Sequence, residues 1–296
     1  MARKLLGPRR LVLGIPKGSL QENTLDLFAR AGYNIAVPTR SYALTFDDPE
    51  LTGTMFRAQE MSRYVEDGVL DAGLTGRDWI EENGSDVVEV AELVYAKQQL
   101  GQVQWILAVP EESKVRQVSD LRGGIVATEL VNCTRRFFAD RKVDVKVEFS
   151  YGATEAKARL VDGIVDVSET GSSLQANGLR IVETVMTSTT RFIANKDAMK
   201  DGWKRQKIEN IALLLQGAIA GRQKVGLKMN VPRANLDAVV AILPAEKSPT
   251  VSALADPQWV ALEVIVEEKV ERDLIPQLKR AGATGIITYP LNKVIP

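Results

Sequence analysis

Short apolar runs, each followed by an amphipathic stretch, recur through the first two thirds of the chain, and this alternation limits it to layered α/β folds. The first run spans residues 11–15; Lys17-Gly18-Ser19 follows, and then a helix to about Ala31 that Gly32 closes. Residues 54–58 and 70–74 read as strands around a helix at 60–66. A short helix at 79–82, a strand at 87–94 and a strongly apolar run at 103–109 come next. Residues 130–141 read as a helix with Leu130, Thr134, Phe137 and Phe138 on one side; strands at 145–149 and 164–167 enclose a helix near 154–161. After a long helical stretch at about 204–220 the pattern changes. It becomes strand (225–229), helix (232–242), strand (249–254), strand (259–266), helix (270–280), strand (285–289), one βαββαβ unit of the ferredoxin-like kind. Pro232 suits the first turn of its helix. A domain boundary is expected near 221–224.

Composition enters by what it excludes. The 38 Lys and Arg balance the 38 Asp and Glu, so no global basic field exists to hold nucleic acid or an anionic membrane; any anion site is local. The chain has no histidine and one cysteine, Cys133. Ser–His and Cys–His nucleophile pairs and His/Cys zinc sites are therefore impossible. A metal has only oxygen ligands or the substrate to hold it, which favours Mg²⁺. No apolar stretch reaches the ~18 residues of a membrane span, and the run at 11–15 is too short for a signal-peptide core, so the cytoplasm is the expected location.

The most informative segment is Ile164-Val-Asp166-Val-Ser-Glu169-Thr170-Gly171-Ser172-Ser173-Leu174. An apolar strand ends in acids and runs into a small, hydroxyl-rich loop that opens a helix. Helix N-termini offer unpaired N–H groups and partial positive charge; Gly171 lets the backbone approach a ligand, and three hydroxyls add donors. Asp166 and Glu169 can accept from two ribose hydroxyls, so the segment suits a 5-phosphoribosyl group. The same loop also suits a plain helix cap. Lys17-Gly18-Ser19 lacks the full P-loop spacing and reads as a strand-to-helix turn. Arg57, Arg135 and Arg136 can be solvated charges, and Cys133 reads as a packing residue.

These motifs together resemble the ATP phosphoribosyltransferases of histidine biosynthesis, in the long form with a C-terminal regulatory domain. The likeness rests on Glu155 and Gly163-Ile-Val-Asp166 through Leu174, then Asn177-Gly178-Leu179. It extends to Gly14-Ile-Pro-Lys17-Gly18-Ser19-Leu20, Arg57-Ala-Gln-Glu-Met and Asp67-Gly68 through Thr75-Gly76. Ala127-Thr-Glu through Arg136 and Tyr151-Gly-Ala-Thr-Glu155 complete it, and it covers nearly the whole chain. Ser19 and Ser62 stand where many relatives carry Arg and Pro.

The resemblance implies an α/β fold with a two-lobed catalytic region like the type II periplasmic binding proteins, plus a ferredoxin-like, ACT-like βαββαβ domain. Lobe I would hold 1–96 with 184–203, lobe II 97–183, a connecting helix 204–223 and the regulatory domain 224–296. Adenine N1 of ATP would attack C1 of phosphoribosyl pyrophosphate and release pyrophosphate, with Mg²⁺ carried by the substrates and no metal fixed by protein side chains. Asp166 and Glu169 would hold the ribose, Thr170, Gly171, Ser172 and Ser173 its 5′-phosphate. Lys17, Gly18, Ser19, Arg57 and Thr75 would serve ATP or the polyphosphates, Lys17 also in catalysis. Inhibitory histidine would bind near Asn230, Thr250, Ser252 and Leu254. A homo-oligomer, dimer and hexamer, is implied. The same fold would also serve a two-lobed receptor or sensor without catalysis.

Overall fold

The computed structural model describes residues 9–38, 42–95, 102–168, 172–244 and 249–295, the side chains of Ser172 and Ser173 aside. The chain forms two compact units. The first runs to Ala212 except for Arg30–Gly32; the second takes Arg30–Gly32 and everything from Leu213.

In the first unit the elements run β1 (Leu11–Lys17), α1 (Gln21–Ala31), β2 (Ile35–Ala36), β3 (Ala43–Phe46), β4 (Leu51–Arg57), α2 (Ala58–Glu66), β5 (Ala72–Gly76), α3 (Arg77–Asn83) and β6 (Val88–Leu93). Then come β7 (Val103–Pro110), β8 (Ile125–Thr128), α4 (Val131–Asp140), β9 (Lys146–Phe149), α5 (Thr154–Lys157), β10 (Gly163–Ser168), α6 (Ser172–Ala176) and β11 (Leu179–Ser188). The chain returns through β12 (Thr190–Ala194) and α7 (Lys196–Lys200) into α8 (Gly202–Arg222).

The strands form two sheets, ordered β2-β3-β4-β1-β5-β12-β6 and β11-β7-β10-β8-β9. One plan underlies both. In lobe I the parallel trio β4-β1-β5 meets the antiparallel β12 and then β6. In lobe II the parallel trio β9-β8-β10 meets the antiparallel β7 and then β11. This is the two-lobed arrangement expected, and the carboxyl ends of its parallel strands are where an α/β sheet binds ligands.

The apolar runs become central strands because helices cover both faces of each sheet. In β1, Leu11, Leu13 and Ile15 are fully buried; Met61 and Val65 of α2 are buried too. In lobe II, Val126 and Val165 pack with Phe137 and Phe138 of α4, while Ala127 and Ile164 on the opposite face meet Ala158 and Leu174.

Two boundaries differ from expectation, and the first is the division of the compact units at Leu213, inside α8, where 221–224 was expected. The return to lobe I was expected at 184, but β11 stays paired with β7 through Ser188, and only Thr189 separates it from β12. Polar and apolar residues alternate across the junction without Gly or Pro to punctuate it, and bulges near Val182 and Val185 hide the strand's period.

In the second unit β13 (Lys224–Pro232), α9 (Leu236–Val240), β14 (Thr250–Ala253), β15 (Trp259–Glu267), α10 (Glu268–Arg280) and β16 (Thr284–Pro290) follow α8. The sheet order β14-β15-β13-β16, antiparallel throughout, is the ferredoxin-like one. Val225, Leu227, Met229 and Val231 share a core with Val260, Leu262, Leu274 and Leu278. The expected helix at 232–242 shrinks to a 3₁₀ turn at Arg233–Asn235 and α9. Pro232 ends β13 opposite Trp259 with extended backbone instead of opening a helix. At a strand end its missing N–H leaves no gap in the ladder. Among the described residues no helix is long and apolar enough to cross a membrane.

Candidate active site

The carboxyl ends of the parallel strands in both lobes flank one cavity of about 820 Å³, lined by Lys17, Gly18, Ser19 and Arg57 from lobe I and by Glu129 and Val167 from lobe II. Strand register sets the lobe I side. Lys17 and Arg57 are the last residues of β1 and β4 and stand opposite one another across the ladder. Both are exposed. The Lys17 ammonium donates to the Tyr42 hydroxyl at 3.1 Å and lies 4.3 Å from its ring centre. Gly18, at φ +104°, makes the turn into α1 that a side chain would strain.

Thr75 departs from its expected role. Alternation along β5 turns it inward; it is fully buried, and its hydroxyl donates to the Ala58 carbonyl at 2.7 Å. Its side chain is a strut between β5 and α2, not a substrate ligand.

The lobe II side is acidic. Asp166 on β10 is partly buried, and its carboxylate accepts the Val167 N–H at 2.7 Å. Burial, with help from the nearby Glu155 and Glu129 carboxylates, pushes this carboxyl up to about 7 against the pull of that N–H. Glu129 follows β8 and Glu155 sits in α5. Both occur in the sequence motifs without an expected role; their convergence on Asp166 comes from three parallel strands ending together. Glu169, Thr170 and Gly171 lie outside the described residues. β10 ends just before them at Ser168 and α6 begins just after at Ser172.

Among the described residues no group of three His, Cys, Asp or Glu is arranged to hold a metal ion. The donors the cleft does offer are carboxylate and hydroxyl oxygens, which suit a hard divalent cation. Cys133 is buried, and burial pushes its thiol up to about 12, so it is no nucleophile. Arg136 is engaged with the Glu81 carbonyl and the Cys133 sulfur.

The residues expected to sense histidine share one face of the second unit's sheet. Asn230 and Ser252 both pair with Ala261, which puts them in one row across β13, β15 and β14. Lys228, Glu263 and Thr250 make the adjacent row. Asn230, Thr250 and Ser252 are exposed on the side opposite the buried core, while Leu254 lies just past β14, partly buried.

Comparison with known proteins agrees with this geometry. The family model described as ATP phosphoribosyltransferase matches residues 57–217, and that of the HisG C-terminal domain matches 221–293. The ATP phosphoribosyltransferase of Pelodictyon phaeoclathratiforme is 58% identical over 96% of this chain and 97% of its own. That of Pelotomaculum thermopropionicum is 56% identical over 97% of this chain and 100% of its own. Among solved structures, the ATP phosphoribosyl transferase (HisG:HisZ) complex from Thermotoga maritima has the same fold at 22% identity and a TM-score of 0.59, over 98% of that chain and 70% of this one. Nothing in these comparisons supports a receptor without catalysis. The chain belongs to the ATP phosphoribosyltransferase family, whose enzymes join ATP to phosphoribosyl pyrophosphate in the first step of histidine biosynthesis.

Proposed function

We propose that the two lobes divide the reaction by charge. Lys17 and Arg57, adjacent on lobe I, take the polyphosphates. Asp166 and Glu169 on lobe II take the ribose hydroxyls, and residues 170–173 take the 5′-phosphate. The observation that carries this reading is the pairing of Lys17 with Arg57 on one side of a cavity that Glu129 lines from lobe II, with Asp166 and Glu155 clustered near Glu129.

The chemistry fits a chain without histidine. Adenine N1 carries a free lone pair, so attack on C1 of phosphoribosyl pyrophosphate needs no strong base. Positive charge develops on the ribose ring and negative charge on the departing pyrophosphate. The lobe II carboxylates offset the first, and the lobe I cations stabilise the second. Holding the ribose on one wall and the polyphosphates on the other aligns N1 with C1. The family's reaction uses a divalent metal; we assign it as Mg²⁺ carried on substrate phosphates, where it neutralises their charge.

We further propose that residues 224–296 form the histidine sensor through the Asn230–Ser252 row and Thr250, in a homo-oligomeric, cytoplasmic enzyme. Histidine's ammonium and carboxylate need polar partners once buried, and that face offers an amide and two hydroxyls. The test of the catalytic reading is the ultraviolet absorbance of N1-substituted adenine when protein, ATP, phosphoribosyl pyrophosphate and Mg²⁺ are mixed. It should rise with time in the wild type and stay flat with Asp166→Asn. An equal rise in both would remove Asp166 from the mechanism.

A further inference from the structure

Asp78 is a buried carboxylate that the scheme above does not use. It opens α3 on lobe I, is 4% exposed, and meets no cationic partner among the described residues. Its hydrogen bonds all come from neutral groups. The Trp105 indole N–H donates to it at 2.7 Å and the Trp79 N–H at 3.0 Å. Ser188 accepts the Asp78 N–H at 3.1 Å and bonds its carboxylate as well. Trp105 lies on β7, the first strand of lobe II, and Ser188 ends β11, the last. One carboxylate of lobe I therefore holds the strands by which the chain enters and leaves lobe II.

The connection continues to the ribose site. Trp105 pairs with Val167, the neighbour of Asp166, so the strand held by Asp78 is the one that flanks the end of β10. Space for the arrangement comes from Gly76, where a β-carbon would stand 2.0 Å from the Asp78 carboxylate. A buried carboxyl, which burial pushes toward its neutral form, is an expensive way to join two strands when only neutral groups hold it, and an apolar contact would serve mere cohesion better.

We propose that Asp78 is a positioning residue that fixes the spacing between the cationic end of lobe I and the ribose site of lobe II, through Trp105 and Ser188. This rests on the division of substrates between lobes proposed above. Phosphoribosyl pyrophosphate reaches across the junction, from its ribose on lobe II to its pyrophosphate on lobe I, so a loosened junction changes the alignment of N1 and C1 in the transition state more than the affinity for ATP.

The test uses the full-length enzyme with Asp78→Asn, Trp105→Phe and the double variant. Each single change should lower kcat about tenfold or more. The dissociation constant for ATP should stay within about twofold. The double variant should be no slower than the worse single one, because both changes break the same link. Losses that multiply would overturn the proposal, as would normal kcat in both folded singles or lost affinity with kcat kept. Should Asp78→Asn not fold, Trp105→Phe decides by the same constants. Normal constants in these variants beside a damaged Arg57→Ala enzyme would sink the positioning role and leave the division of substrates standing.

Discussion

At the carboxyl ends of β1 and β4, lobe I presents Lys17 and Arg57; in lobe II, Glu129 follows β8, and Glu155 in α5 lies near Asp166 on β10. The backbone plan is the same in both lobes, and these side chains carry opposite charge. The sheets therefore do not choose what is bound. A few strand-end side chains do, and swapping their sign turns one plan into two complementary walls. In the proposed reaction the cations would face the phosphates and the acids the sugar, the two places where charge develops.

The harshest way to break that comparison is to remove a cation from lobe I. Arg57→Ala should cut kcat/KM by about a hundredfold to a thousandfold, because it strips charge from the departing pyrophosphate. Steady-state kinetics in both substrates checks this; a loss under about threefold would show that the wall is solvated surface.

Removing an acid from lobe II comes next. Asp166→Asn should slow turnover by about a hundredfold while ATP affinity barely changes. The same variant has a stability signature of opposite sign. Folding raises the Asp166 pKa to about 7, so ionising it opposes folding. That penalty is absent below the ordinary carboxylate pKa and grows as pH rises toward the folded value. Asp166→Asn should therefore match the wild-type Tm near about pH 4 and exceed it by a few degrees near about pH 8. Thermal melts across pH would show it, and a variant less stable at the higher pH would place Asp166 in an ordinary structural ion pair.

The mildest perturbation leaves both walls intact. Thr250→Ala with Ser252→Ala should keep activity and shift half-inhibition by histidine upward about tenfold. Coincident inhibition curves would put the sensor elsewhere; direct competition with ATP would end the allosteric reading.

How much of this was legible in the sequence depended on whether the cause was local. The β1 run and its Lys17-Gly18 turn, the Arg57 strand end and the βαββαβ order follow from periodicity and turn chemistry, and the fold follows them. β8, only four residues long, gave too little alternation to read, so Glu129 had no strand end to stand on. Thr75 misled because a hydroxyl in a motif looks alike whether it faces a ligand or a neighbouring carbonyl; only the pleat of β5 decides. Asp78 could not be found at all. An acid in the first turn of a short helix is the commonest of surface residues. The partners that make it special are a tryptophan 27 residues away and a serine 110 away.

The division of substrates between the walls is tested most directly with fragments of the substrate, as inhibitors of wild type, Arg57→Ala and Asp166→Asn. Ribose 5-phosphate and magnesium pyrophosphate each occupy one half of the phosphoribosyl pyrophosphate site. The account predicts that Asp166→Asn weakens ribose 5-phosphate about tenfold and leaves pyrophosphate within about twofold, and that Arg57→Ala does the reverse. Two variants that weaken both fragments alike would contradict it, because the walls would then not be separate sites.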